Sequence, residues 1–202
     1  MSRYTGPKAR VNRRLGALVF ESAGAAKAYG RRDNPPGMHP APRKISKHAE
    51  AMREKQKIKY YYGLSEKQLR KLFDKARRKE GATGDNLLLM CERRIDSVVR
   101  LAGLTKTRPQ ARQGVAHGHF LLNGHRHNIP SAQVRAGDVI HVLRRANIVE
   151  LYRSCIEESE GEAADWLAMD AESLKVIVHR EPTIEDVTLP VDVGMVVELL
   201  SR

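Results

Sequence analysis

Four of the eight histidines lie within eleven positions, at His117, His119, His125 and His127 in "RPQARQGVAHGHFLLNGHRHNIPSA". Imidazoles at such spacing could hold zinc, provided that they converge on one tetrahedral point. The turn between them decides the matter. Asn123-Gly124, flanked by apolar and β-prone residues, predicts a two-residue hairpin loop, because both turn positions need positive φ. Leu122 then faces His125, Leu121 faces Arg126 and Phe120 faces His127. Paired residues share a face and successive ones alternate, so His125 and His127 lie with Phe120 and Leu122 while His119 and His117 point the other way. The four imidazoles split two and two, and the stretch reads as a hairpin with incidental histidines.

Other chemistry is sparse. The sequence has no P-loop, no glycine-rich dinucleotide turn, no Cys-His cluster and no nucleophile set beside a base. Cys91 and Cys155 are the only cysteines. They form no secreted disulfide framework and read as small buried thiols.

The abundant chemistry is cationic. The 202 residues hold 36 Lys+Arg against 24 Asp+Glu, a net charge of +12, with a pI near 10.0. The head is strongly basic and the tail acidic: residues 1 to 80 carry 22 basic and 7 acidic side chains, residues 151 to 202 carry 4 and 12. Such a balance points to a polyanionic partner. The start lacks an apolar core followed by a cleavage site, and no eighteen-residue window is continuously apolar. A soluble cytoplasmic protein without a membrane partner is expected.

The elements that must position these cations follow from pattern. Residues 1 to 44 are rich in Gly, Pro, Arg and Lys, and "RRDNPPGMHPAPRK" has too many turn formers for helix or strand; an extended basic arm is expected. "ISKHAEAMREKQKIKYYYG" reads as a helix ending at Gly63, with a narrow seam of Ala51, Ile58 and Tyr62. Tyr60, Tyr61 and Tyr62 are expected to pack between helices. A second helix starts at a capping box, Ser65 with Gln68, stapled by Leu64 and Leu69, and buries Leu69, Leu72, Phe73 and Ala76. "GATGDN" is expected to break the chain before one helix over "LLLMCERRIDSVVRLAG", with its seam at Leu88, Cys91, Ile95, Val98 and Ala102. Thr107 caps a short helix, which Gln110 helps close and Pro109 tolerates in its first turn. Arg108 and Arg112 are then neighbours one turn apart, expected on an exposed face. After the hairpin come a strand in "GDVIHVL", an acidic connector or helix in "EESEGEAAD", and a strand pair in "WLAMD" and "LKVIVHR".

Helix, capped short helix with two arginines, glycine, Asn-Gly hairpin and a strand opening on Gly-Asp is an order that resembles the S4 RNA-binding fold. The string "ERRIDSVVRLAGLTKTRPQARQGVAHGHFLLNGHRHNIPSAQVRAGDVIHV" carries it. "RYTGPKAR", "PPGMH", "REKQKIKYYYGLSEKQLRKLF", "WL", "REPTIED" and "VVELLSR" extend the likeness to both ends, where the chain is similar to the bacterial family of small-subunit ribosomal protein S4. The resemblance implies an α+β protein. A mostly helical domain, residues 45–89 plus 179–202, is interrupted by an inserted RNA-binding domain of helices on an antiparallel sheet, residues 90–178, with the arm 1–44 alongside. It further implies a non-enzymatic protein that binds the 5′ domain of 16S ribosomal RNA at a multi-helix junction and starts assembly of the subunit body. Contact with ribosomal protein S5 and other small-subunit proteins, a contribution to translational accuracy, and nearness of Arg43 and Lys44 to the path by which messenger RNA enters are implied as well.

The family's pattern has departures here. Many members bind zinc through a Cys-x-x-Cys pair near the start, but Ala9 and Asn12 stand at those places, so no metal and no cofactor is expected. His127 replaces an apolar residue, and a partly buried, hydrogen-bonded imidazole is expected there. A folded RNA junction offers phosphates and a shallow minor groove, read by shape and backbone contact through Arg and Lys on rigid helices. The expected RNA contacts are Arg3, Lys8, Arg10, Arg13 and Arg14 on the arm, Arg53, Lys55, Lys57 and Lys59 on the first long helix, and Arg93, Arg108, Arg112 and Arg126 on the insertion. Two rivals use the same fold, an RNA-modifying or tRNA-charging enzyme and a small stress-related ribosome binder. The first lacks a catalytic domain here, and the second lacks the long helical amino-terminal part.

Overall fold

The computed structural model describes residues 4–32, 34–38, 45–158 and 163–201. It divides into two compact units, Met1–Leu87 with Thr188–Arg202, and Leu88–Val187. The first unit holds helices α1 (Lys8–Leu15), α2 (Ala23–Arg31), α3 (Lys47–Tyr61), α4 (Glu66–Arg77), the start of α5 (Thr83–Glu92), and α9 (Val193–Ser201). The second holds the rest of α5, then α6 (Ile95–Leu101), α7 (Arg108–Ala116), β1 (Phe120–Leu122), β2 (His125–His127), β3 (Val139–Val142), α8 (Ala146–Glu157), β4 (Leu167–Asp170) and β5 (Lys175–Val178). The α+β class expected from sequence is what is found.

In the first unit, Ser46 caps α3 by accepting from the Ala49 amide, and Gly63 takes a φ of 61° just beyond that helix. The capping box at Ser65 and Gln68 forms as expected, and Leu69, Phe73 and Ala76 are buried beneath α4. Tyr61 and Tyr62 are buried, and Tyr61 shares a 2.7 Å hydrogen bond with Thr188.

The amino-terminal stretch is not extended throughout. Lys8–Leu15 and Ala23–Arg31 are helical, because Val11, Asn12 and Leu15 find a buried face and "AGAAKAYGR" is rich in the best helix former. Helix α5 also begins earlier than expected, taking in Thr83 to Asn86. Gly84 is needed there, since a Cβ would lie 2.2 Å from Val193 Cγ1 on α9.

The second unit is a five-stranded antiparallel sheet in the order β2-β1-β3-β5-β4. Its core joins Ile95 and Val98 of α6 and Ala102 just after it, Ala111 and Val115 of α7, Tyr152 of α8, and Phe120, Ile140, Val142, Val176 and Val178 from the sheet. The hairpin register is the expected one, Phe120 with His127, Leu121 with Arg126 and Leu122 with His125. Asn123 and Gly124 supply φ of 51° and 83°, and the Asn123 side chain also accepts from the Val139 amide and donates to Asp138.

The single helix expected over "LLLMCERRIDSVVRLAG" is two. Arg94 is extended, at φ −70° and ψ 139°. Residues 132–134 run alongside and take over the groups freed by the break. Ile95 donates to the Ala132 carbonyl, Val134 donates to the Arg93 carbonyl, and the Gln133 side chain donates to Met90 at 2.7 Å. The apolar spacing continues across Arg94, so the break depends on a segment forty residues away. Helix α8, over "ANIVELYRSCIE", was not assigned from sequence; Tyr152 and Cys155 are its buried residues.

Candidate nucleic-acid interface

The hairpin end of the second unit gathers cations around the last turn of α7. Arg126, exposed on β2, donates through Nε to the Gly118 carbonyl and through Nη2 to that of His117, both at 3.2 Å. It thereby covers the negative end of α7. Gly118 permits the approach, since a Cβ there would lie 2.6 Å from the Arg126 Nε, and its φ is 69°. The His117 and His119 rings meet edge to face with centroids 5.8 Å apart. His119 Nδ1 lies 3.1 Å from the Tyr152 hydroxyl. Partial burial, followed by the nearby charge of His117, Arg126 and Arg145, pushes the His119 imidazole below its ordinary pKa. His127 is partly buried, with Nε2 3.2 Å from the Ile129 carbonyl, as its sequence position suggested. Among the described residues no group of His, Cys, Asp or Glu side chains is arranged to hold a metal ion.

Behind this end, Arg108 and Arg112 overturn the expectation of an exposed pair. They are 9% and 8% exposed. Arg108 Nη2 lies 3.7 Å from Glu92 and Arg112 Nη1 lies 3.6 Å from Asp96. Asp96 also takes a two-pronged pair from Arg94, at 2.9 and 2.6 Å, and a bond from the Ser97 amide. Three guanidiniums and two carboxylates thus tie α5, the extended link, α6 and α7 together. The Thr107 cap forms, accepting from the Gln110 amide, while the Gln110 side-chain oxygen accepts from the Lys106 amide rather than from that of Thr107 to close the box. Helical spacing correctly put the two arginines on one face, but α5 and α6 cover it. Arg93 is likewise engaged, with Glu181 at 2.9 Å and with the Val134 carbonyl.

In the first unit, three of the four α3 cations expected to contact RNA are tied up in ion pairs within the protein. Lys55, only 7% exposed, binds Glu66 at 2.6 Å, Lys59 reaches the same carboxylate at 3.3 Å, and Lys57 binds Glu54 at 2.6 Å. Burial alone would raise the Glu66 carboxyl, but hydrogen bonds and charge from Lys55 and Lys59 hold it below its ordinary value. Arg53 is half-buried and makes no ion pair among the described residues. On α1, Arg10 and Arg14 are exposed, and Arg14 touches the Tyr60 hydroxyl at 3.4 Å. Arg13 donates to the Asn34 carbonyl, and Lys8 sits 6.0 Å from the Phe20 ring centre. Asn12, where the resembling family often has a zinc cysteine, is fully buried. Its amide donates to the Phe20 carbonyl at 3.0 Å and accepts from the Phe20 amide at 2.9 Å, closing the loop after α1. Arg3, Arg43 and Lys44 lie outside the described residues.

Sequence reasoning passed over two groups of exposed cations. Arg144 and Arg145 follow β3 beside His119, and Lys67, Arg70, Lys71 and Lys75 line α4. The signal for the second group was present, since these residues sit opposite the apolar seam of α4.

The model of the ribosomal protein S4/S9 N-terminal domain matches residues 3–92, and that of the S4 domain matches residues 93–140. The small ribosomal subunit protein uS4 of Rhodopirellula baltica is 55% identical over 202 residues, all of both chains. Proteins of the same name from Opitutus terrae and Corynebacterium ammoniagenes are 43% and 42% identical, again over the full length of each chain.

Proposed function

Because the chain belongs to the family of small ribosomal subunit protein uS4, we propose that it is a structural, non-catalytic protein of the bacterial small ribosomal subunit that works in the cytoplasm by binding ribosomal RNA. The observation that carries this reading beyond family membership is the hairpin end of the second unit. There Arg126, Arg145 and His117 are exposed around the end of α7, on a scaffold of sheet and buried ion pairs that holds them in place. Cations fixed on rigid elements suit the closely spaced phosphates of a folded RNA.

The finer reading is that the RNA is the 5′ domain of 16S ribosomal RNA, bound at a helix junction, and that binding starts assembly of the subunit body. The direct contacts are Lys8, Arg10, Arg13 and Arg14, with Arg3 before them, then Arg53 and Arg126. Lys55, Lys57, Lys59, Arg93, Arg108 and Arg112 act first as the internal ties that shape the surface. Arg43 and Lys44 belong to the stretch nearest the entry path of messenger RNA, and a surface of the protein meets ribosomal protein S5 and bears on accuracy. No helix among the described residues is long and apolar enough to cross a membrane.

Footprinting of the protein on naked 16S RNA tests the reading. Protection confined to the 5′ domain is the expected result. Protection elsewhere, or none, refutes it.

A further inference from the structure

The solvent face of α4 is dominated by positive charge. Lys67, Arg70, Lys71, Lys75, Arg77 and Arg78 are all exposed. At 3.6 residues per turn they cover an arc of about 160°, centred opposite Leu69, Phe73 and Ala76. Asp74 is the one carboxylate on that arc, and it makes no ion pair among the described residues. Glu66, at the start of the helix, is turned inward to Lys55 and Lys59. The contrast with α3 is sharp, since Glu54 and Glu66 pair with three lysines of α3 while the α4 face carries only Asp74 among its cations.

We propose that this face of α4 is a phosphate-binding surface that takes the backbone of double-helical RNA, an inference that rests on the RNA-binding reading above. Like charges four residues apart, such as Lys67 with Lys71 and Lys71 with Lys75, work against a helix. Helix α4 forms in spite of them because its capping box and buried seam hold it. A polyanion relieves that repulsion. Successive cations four apart rise about 6 Å along the axis, giving a row of charges able to follow a phosphate chain. Arg70, Arg77 and Arg78 add planar forks that match phosphate oxygens. The face bears no aromatic or aliphatic anchor, which a protein partner would require at the centre of its interface. Nor does it bear Asn or Gln to read base edges, so contact is to backbone and shape.

The test uses the full chain and naked small-subunit RNA, with affinity measured at several salt concentrations and folding followed by circular dichroism. The variant Lys67→Gln/Arg70→Gln/Lys71→Gln/Lys75→Gln keeps strong helix formers throughout. Each phosphate contact contributes roughly 0.7 to 0.9 to the slope of log affinity against log salt, so the variant slope should fall by about 3 with helicity unchanged. Should four changes disturb folding, Lys71→Gln/Lys75→Gln alone should lower the slope by about 1.5. A folded variant with the wild-type slope overturns the proposal and leaves RNA binding intact. A wild-type chain without salt-dependent binding overturns the functional reading and this proposal together.

Discussion

Replacing Asp96 with Asn removes one charge from a carboxylate where two guanidiniums, those of Arg94 and Arg112, converge, and keeps the side chain's shape. Asp96 and Arg94 have side chains 6% and 3% exposed and share bonds of 2.9 and 2.6 Å, while Arg112 stands 3.6 Å from the same carboxylate. Were this pair on the surface, its loss would cost at most about 1 kcal/mol. Buried as it is, the substitution leaves Arg94 and Arg112 without their counter-charge, and removing one partner of a buried pair costs roughly 3 to 5 kcal/mol. Two charge-assisted bonds at about 1.5 to 3 kcal/mol each give the same scale. For a unit of this size, a loss of about 3 kcal/mol lowers the melting temperature by at least roughly 12 °C. Urea unfolding followed by circular dichroism measures the effect. Glu158→Gln serves as the control, because it removes the same charge from the exposed Lys106–Glu158 pair. Equal losses for the two variants, or a loss under about 1 kcal/mol for Asp96→Asn, would refute the view that burial decides the strength of this network.

Asn12→Ala should destabilise the first unit by about 2 to 4 kcal/mol, since it strands the buried amide and carbonyl of Phe20; thermal melts decide, and an unchanged midpoint contradicts the clasp. Gly114→Ala puts a Cβ 2.2 Å from the Tyr152 hydroxyl, so a loss of about 1 to 3 kcal/mol is expected, and adding Tyr152→Phe should recover part of it. A Gly114→Ala protein as stable as wild type would show that α7 and α8 are less closely packed. His119 has a folded pKa below its unfolded value. Its contribution to stability is therefore present above the unfolded pKa and is lost as pH falls through the folded one. Proton NMR should show its imidazole titrating below about 6.5, and a higher midpoint would be inconsistent with a repulsive, partly buried setting. Asp186 is held down to about 2, chiefly by its hydrogen bond to Arg180 and by Thr183. Its contribution is present above the ordinary carboxylate range and is lost as pH falls toward 2, so Asp186→Asn should be destabilising at pH 7 and nearly neutral as pH approaches about 2, as urea midpoints across the range will show.

Local sequence determined whatever local physics controls. Asn123-Gly124 specified the hairpin and its register because few residues accept positive φ at both turn positions, and the register in turn divided the histidines. Ser65, Gln68 and Thr107 specified helix starts because the Ser65 and Thr107 hydroxyls reach amides three residues on and the Gln68 side chain reaches back to the Ser65 amide. The α+β order and the basic head were equally legible, and with them the family. The tertiary structure alone decided which cations are free. Arg108 and Arg112 have the spacing of an exposed pair, yet α5 and α6 deliver Glu92 and Asp96 to them. Lys55, Lys57 and Lys59 look like an RNA-facing row, but Glu54 and Glu66 close over them, and Lys67, Arg70, Lys71 and Lys75 are left to solvent. The break at Arg94 was hidden for the same reason, since a segment distant in the chain supplies the hydrogen bonds that make it tolerable. A side chain's type and period are properties of its neighbours in sequence. Its exposure and its counter-charge belong to whatever folds against it.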